Sequence, residues 1–78
     1  MEKDRLIAKL TEDLNLCEGY LKKEARLDLV LRILEELMNE IEEAKKENMP
    51  MYDIEERVRI LYHRASALVT LNGEKARK

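Results

Sequence analysis

Aromatic residues, glycine and proline are scarce in this sequence. Its 78 residues contain no tryptophan, no phenylalanine, three tyrosines, two glycines and one proline. Without large rings, the core has to be built from leucine, isoleucine, valine, methionine and alanine. With so few turn-forming residues, the chain has few places at which to reverse direction. The composition therefore predicts an all-α protein with long helices and argues against a β-sheet.

Cysteine and long apolar runs are also nearly absent. Cys17 is the only cysteine, which excludes an internal disulfide, and the absence of a Cys/His cluster argues against structural zinc. No segment approaches the ~20 apolar residues of a membrane-spanning helix, and the N-terminus mixes acids with bases where a signal peptide would be apolar. We expect a soluble, cytoplasmic protein with no cofactor, no metal, no membrane partner and no small-molecule substrate.

The short length of the chain limits its stability. A chain of 78 residues forms one domain, close to the size at which a single hydrophobic core is just sufficient. Domains this small often rely on a disulfide, a metal ion or a second copy of themselves. Since the sequence disfavours the first two, we expect self-association or a partner protein to contribute to stability.

The most apolar segment is residues 27–37, LDLVLRILEEL, in a chain that is 41% charged. At 100° per residue, its apolar side chains cover an arc of roughly 200° on a helix, which is wider than one neighbouring helix can bury. We therefore predict that this segment lies at the centre of the core, between two other helices. The residues that define the arc are Leu27, Leu29, Val30, Leu31, Ile33 and Leu34.

A first helix is predicted over about residues 2–18, with Gly19 as its C-terminal stop. The apolar stripe of this helix, continued at helical spacing, would fall on Asp28 and Arg32 and not on the leucines of the second helix. This change of phase favours a turn between Gly19 and Ala25. One continuous helix is the alternative, because no proline, asparagine or aspartate marks that turn. The stripe consists of Leu6, Ile7, Leu10, Leu14, Cys17 and Leu21.

The second and third helices are predicted over about residues 24–47 and 53–71. Pro50 prevents the second helix from continuing, since proline lacks an N–H donor and restricts the residue before it. Asp53 is the expected N-cap of the third helix, and Gly73 belongs to its expected stop.

The connections between these helices are short. Short loops make neighbouring helices antiparallel, so we predict an up-down-up three-helix bundle, with dimerisation as a further means of completing its core. The bundle is expected to occupy residues 1–73 as one domain. Residues 74–78 are expected to form a charged, frayed tail.

The third helix carries a second apolar stripe on the side opposite its core-facing residues. A terminal helix of a three-helix monomer has no need of an apolar back, although scattered exposed apolar residues are ordinary on protein surfaces. We therefore predict a contact surface for a second copy or another protein, with an arginine as anchor. The margin of the second helix is a candidate for the same surface. The predicted partner-binding residues are Ile60, Arg64, Ala67, Leu71, Arg57, Leu29 and Ile33.

No catalytic or metal-binding motif accompanies the residues that could carry chemistry. His63 lies one helical turn before Ser66, but no oxyanion-hole motif accompanies them, so it is interpreted as a surface histidine. Cys17 is interpreted as core filler, because it lies within an apolar stripe. The glutamates of the second helix are interpreted as a solvated face, since no glutamate stands three residues before His63 as a Glu-x-x-His metal motif requires. We predict no catalytic, cofactor-binding or metal-binding residues.

These observations predict a non-enzymatic protein–protein interaction module, such as a regulator, inhibitor or adaptor, that forms homo-oligomers. The alternative is a nucleic-acid-binding regulator that uses Arg57, Arg59, His63 and Arg64 with the basic C-terminal tail. Against this alternative, the basic residues are spread around the third helix, and residues 24–49 carry eight acids and four bases. The sequence also lacks the short helix-turn-helix spacing that DNA recognition favours.

Overall fold

The computed structural model describes residues 2–76 and the side chains of residues 3–71. The chain forms three helices, α1 (Glu2–Lys22), α2 (Leu27–Lys46) and α3 (Tyr52–Ala76). Each helix packs against both of the others, in a molecule that measures 50 × 20 × 16 Å. The predicted all-α, up-down-up three-helix bundle is confirmed.

The core is a single aliphatic cluster to which all three helices contribute. Val30 and Leu34 of α2 are completely buried at its centre, as the broad apolar arc of residues 27–37 predicted. Cys17 is also completely buried, which confirms that it packs with the core. No polar or charged side chain among the described residues is buried. The buried side chains are Leu10, Leu14, Cys17, Leu21, Leu27, Val30, Leu34, Leu37, Ile41, Ala44, Met51, Val58, Leu61 and Ala65.

The turn between α1 and α2 lies later in the chain than Gly19 predicted. α1 continues through Gly19 to Lys22, so the expected stop at residue 19 is wrong. The amide of Glu24 donates to the carbonyl of Leu21 at 3.0 Å, and the amide of residue 25 donates to the carbonyl of Tyr20 at 3.0 Å. These two bonds define a Schellman motif, in which Glu24 occupies the left-handed position with φ 50°. A turn does separate the two helices, and the continuous-helix alternative is wrong.

The start of α2 is also later than predicted. It begins at Leu27, because Arg26 has left-handed backbone angles of φ 51° and ψ 45° and stands as its N-cap without a side-chain hydrogen bond. The guanidinium of Arg26 lies 5.9 Å from the centre of the Tyr20 ring, within the range of a cation–π contact. The side chain that cannot cap α2 therefore stacks against α1.

The end of α2 repeats the same backbone motif with better suited residues. The amide of Asn48 donates to the carbonyl of Lys45 at 3.0 Å, and the amide of Met49 donates to the carbonyl of Ala44 at 2.8 Å. Asn48 takes the left-handed position with φ 60°, and asparagine tolerates this conformation better than most residues. The predicted stop before Pro50 is confirmed.

Both ends of α3 extend beyond the predicted limits. The carbonyl of Met51 accepts from the amide of Glu55 at 2.8 Å, so Asp53 lies inside the first turn and its predicted role as N-cap is wrong. At the other end α3 runs past Gly73 to Ala76, since one glycine weakens a helix by about 1 kcal/mol without necessarily ending it. The expected tail of residues 74–78 lies outside the described side chains, and its last two residues lie outside the described backbone.

Candidate interaction surface on the third helix

The side of α3 that faces away from the core carries exposed apolar side chains at helical spacing. Ile60 and Leu71 are each 52% exposed, and Arg64 and Ala67 are exposed between them. Successive members lie three or four residues apart and therefore form one line along the helix. We call Ile60, Arg64, Ala67 and Leu71 the outer seam of α3. The structure thus brings four of the seven predicted partner-binding residues together.

The outer seam runs along the edge that α3 shares with α1. Arg57, one turn before Ile60 on the same flank, donates from Nη2 to Oε1 of Glu18 at 3.0 Å and to Oδ1 of Asn15 at 3.4 Å. Towards the end of α1 the surface forms an open depression. It is lined by Leu21, Lys22, Glu24, Arg64, Ala67 and Leu68. The outer seam therefore borders a groove whose floor is apolar and whose rim carries both charges.

Arg57 has a different role from Arg64. Its guanidinium is half-buried and bridges α3 to α1 through Glu18, so that charge is already neutralised within the chain. Arg59 likewise approaches Glu55 of its own helix at 3.5 Å. Within the described side chains, neither Glu56 nor Arg64 takes part in a hydrogen bond or an ion pair. Of the three arginines of α3 in the described part of the chain, Arg64 is thus the one whose guanidinium is not opposed by a carboxylate among the described side chains.

Leu29 and Ile33 lie on the opposite flank of α1. They share one line of α2 with Glu40, which accepts a hydrogen bond from Nζ of Lys9 on α1 at 2.8 Å. Ile33 is partly buried and packs against the core, and Leu29 is half-buried. The structure does not bring these two residues together with the outer seam of α3, because α1 lies between them.

The edge between α2 and α3 is bridged by polar side chains that the sequence pattern did not single out. Nζ of Lys45 donates to Oε2 of Glu55 at 2.7 Å, and Oη of Tyr62 donates to Oε2 of Glu35 at 3.2 Å. The hydrogen bond to Glu55 raises the pKa of Lys45 above its ordinary value. On α1, the hydrogen bond to Glu40 similarly raises the pKa of Lys9. These contacts fix how the helices meet at the surface.

The residues that were considered for chemistry are not assembled into a site. Burial, with a smaller contribution from the charge of Asp13, raises the pKa of the Cys17 thiol to about 11, so the thiol is protonated at neutral pH. A protonated thiol is a poor nucleophile. His63 is exposed, and the Ser66 carbonyl accepts from Oγ1 of Thr70 at 3.0 Å. Across the residues that the structure describes, no group of three histidine, cysteine or acidic side chains converges as a metal site would require.

Three exposed apolar side chains were missed by the sequence reasoning, among them Val69, which the periodicity of α3 placed on the inner face and which is 38% exposed. Tyr52, at the start of α3, is 72% exposed, and Leu16 on the outer side of α1 is 48% exposed. Tyr52 was not considered as a surface residue of α3, because the helix was expected to begin one residue later. Leu16 does not fit the stripe of α1, and this mismatch was a signal that it faces outward.

This chain matches no known protein family, no curated protein and no solved structure. Over the described part of the chain, none of the three helices combines the length and the apolar character that crossing a membrane requires.

Proposed function

We propose that this protein is a non-enzymatic interaction module that associates with helical proteins, itself included, through the outer seam of α3. The observation that supports this proposal is the exposure of Ile60 and Leu71 in one line of a helix whose other face already fills the core. Single exposed apolar residues are ordinary, but a line of them at helical spacing is the pattern by which helices recognise one another.

The surface chemistry of the outer seam suits a partner helix. Fully burying an isoleucine or leucine side chain contributes about 1.5–3 kcal/mol, so two half-exposed side chains offer a useful fraction of that to an interface. Arg64 adds a charged group of a residue type that is enriched among the residues that dominate protein contacts. The apolar members provide affinity, and the charges at the rim determine the orientation of the partner.

The nucleic-acid alternative is less well supported by the same charges. A duplex or single strand is bound through cations that are free to meet phosphates. Arg57 is paired with Glu18, and Arg59 lies beside Glu55, so two of the three described arginines of α3 are already opposed by carboxylates. We therefore propose the protein interface as the function of this surface.

The test replaces the apolar members of the outer seam with lysine and uses Leu16→Lys as a matched control. Leu16 has nearly the same exposure as Ile60 but lies off the outer seam, so Leu16→Lys is matched to the single substitution Ile60→Lys and adds one charge elsewhere. We expect Ile60→Lys with Leu71→Lys to abolish association, while circular dichroism shows unchanged helicity. Association is measured by sedimentation over a range of concentrations and by recovery of a partner from the native host.

The outcomes separate cleanly. Loss of association in the outer-seam variant, with Leu16→Lys behaving like the wild type, supports the proposal. Equal association of the wild type, the outer-seam variant and Leu16→Lys contradicts it. The proposal also fails if the wild type is a monomer and recovers no partner, or recovers only partners that the Ile60 variant recovers equally well. Unfolding of the outer-seam variant alone would show that these side chains serve the fold.

A further inference from the structure

Two charges that are unpaired among the described side chains lie at equal distances on either side of Ile60, the first residue of the outer seam. Glu56 lies four residues before Ile60 and Arg64 lies four residues after it, so each stands about 6 Å along the axis from Ile60 on the same side of α3. Both are exposed, and neither is used in an ion pair among the described side chains. The surface therefore carries an acid, an aliphatic residue and a base in order.

We propose that α3 pairs with α3 of a second copy of this chain, antiparallel and centred on Ile60, in a symmetric dimer. This inference rests on the proposed function and identifies the partner. In an antiparallel pair related by a two-fold axis at Ile60, Glu56 of each copy approaches Arg64 of the other, which gives two equivalent ion pairs. The contact is self-complementary, as a two-fold interface must be.

A parallel pairing of the same two helices is disfavoured by the same charges. It would place Glu56 against its own copy and Arg64 against its own copy, and like charges brought together at an interface repel. The antiparallel arrangement removes both repulsions and leaves Ile60 against Ile60 at the axis. Charge complementarity thus selects both the partner and its direction.

The ends of α3 fit the same arrangement. Tyr52 and Leu71 lie on either side of Ile60 along the helix, and within residues 3–71 these three are the most exposed large apolar side chains. They are about 12 Å and 16 Å from Ile60 along the axis, so an antiparallel pair places Tyr52 of one copy within one helical turn of Leu71 of the other. Asp53 and Ala67, each seven residues from Ile60, also come level with one another. The three most exposed large apolar residues among the described side chains are then grouped in one contact.

A charge exchange tests the orientation of the pair. We expect the wild type to sediment as a dimer, and Glu56→Arg and Arg64→Glu each to raise the dissociation constant about tenfold, because each creates two like-charge contacts. The double variant restores opposite charges at both contacts, so its dissociation constant should return to within about threefold of the wild type. The effect of the single variants should shrink in high salt.

A cysteine placed at the axis provides an independent measurement. Oxidation of Ile60→Cys should link two copies rapidly, since residue 60 of one copy faces residue 60 of the other. Arg32→Cys, exposed on the outer side of α2, is the matched control and should link slowly. The native Cys17 is completely buried and does not compete.

These results distinguish the inference from the function on which it rests. A monomeric wild type, a double variant no better than the single ones, or equal linking of both cysteine variants would overturn the antiparallel dimer. If the antiparallel dimer is overturned but the lysine variant of the outer seam still loses binding to another partner, the proposed interaction module is supported. Only its pairing with a second copy is then wrong. If the lysine variant loses nothing, the proposed function itself fails.

Discussion

The two edges of α3 differ in how they are closed at the surface. Along α2, the hydrogen bonds of Lys45 with Glu55 and of Tyr62 with Glu35 bridge the two helices, beside a small depression lined by Met38 and Ile41. Along α1, Arg57 bridges to Glu18, and the groove beyond this bridge is lined by Arg64 and Ala67 of the outer seam. Both edges border the same core. This difference is the basis on which we propose the α1 side of α3 as the interaction surface.

The largest predicted effect is a difference in stability between substitutions of two neighbouring residues of α3, the buried Leu61 and the exposed Ile60. We expect Leu61→Ala to lower the free energy of unfolding by about 2–5 kcal/mol, because it removes buried atoms and leaves a cavity. Ile60→Ala should change it by less than about 0.5 kcal/mol in the monomer. Urea denaturation followed by circular dichroism at low protein concentration measures both. Similar losses for the two variants would show that the outer seam belongs to the core.

A second prediction tests whether water reaches the buried Cys17 from the α1 side of the bundle. The pKa of Cys17 is raised by burial to about 11 in the folded chain, against an ordinary value of 9.0. Between these two pH values the unfolded chain releases the thiol proton and the folded chain retains it. The contribution of the Cys17 thiol to the free energy of unfolding should therefore be fully present below pH 9. It should fall by roughly 2 kcal/mol as the pH rises to 11.

The control for this titration is Cys17→Ala. Lysine and tyrosine side chains also titrate in this range, so the thiol contribution is the difference between the pH dependence of the wild type and that of the variant. A thiol reagent at pH 8 should react with the native chain much more slowly than with the chain in urea. Rapid reaction of the native chain would show that the α1 side of the bundle opens to the depth of Cys17.

The periodicity of the sequence was sufficient to predict the bundle and the exposure of the outer seam. Helical phase alone places Val58 and Leu61 inside and Ile60 outside, because all three lie on one continuous helix. Helical phase could not predict which neighbouring helix Leu29 and Ile33 would face. Whether a margin of α2 faces α1 or α3 depends on the order in which three helices pack around the core, and a one-dimensional pattern does not contain that order.

The limits of α1 were mispredicted because a local preference was outweighed by burial. Glycine favours the end of a helix by about 1 kcal/mol, which made Gly19 the expected stop. Leu21 continues the apolar stripe and is buried, and burying a leucine contributes about 1.5–3 kcal/mol. Because the burial of Leu21 outweighs the preference of Gly19, the helix continues for one more turn. Glu24 then has to adopt the left-handed conformation at the turn.

The smallest predicted effect compares the turns at the two ends of α2. Glu24 and Asn48 occupy the same left-handed position of the same backbone motif, but only asparagine adopts it readily. Glu24→Gly should raise the free energy of unfolding by about 1 kcal/mol, and Asn48→Gly should change it by only a few tenths. Glu24→Ala keeps the Cβ atom but removes the carboxylate that lines the same groove as Arg64, so it isolates the contribution of charge. If Glu24→Ala stabilises the chain as much as Glu24→Gly does, the cost at this turn comes from the carboxylate and not from the backbone.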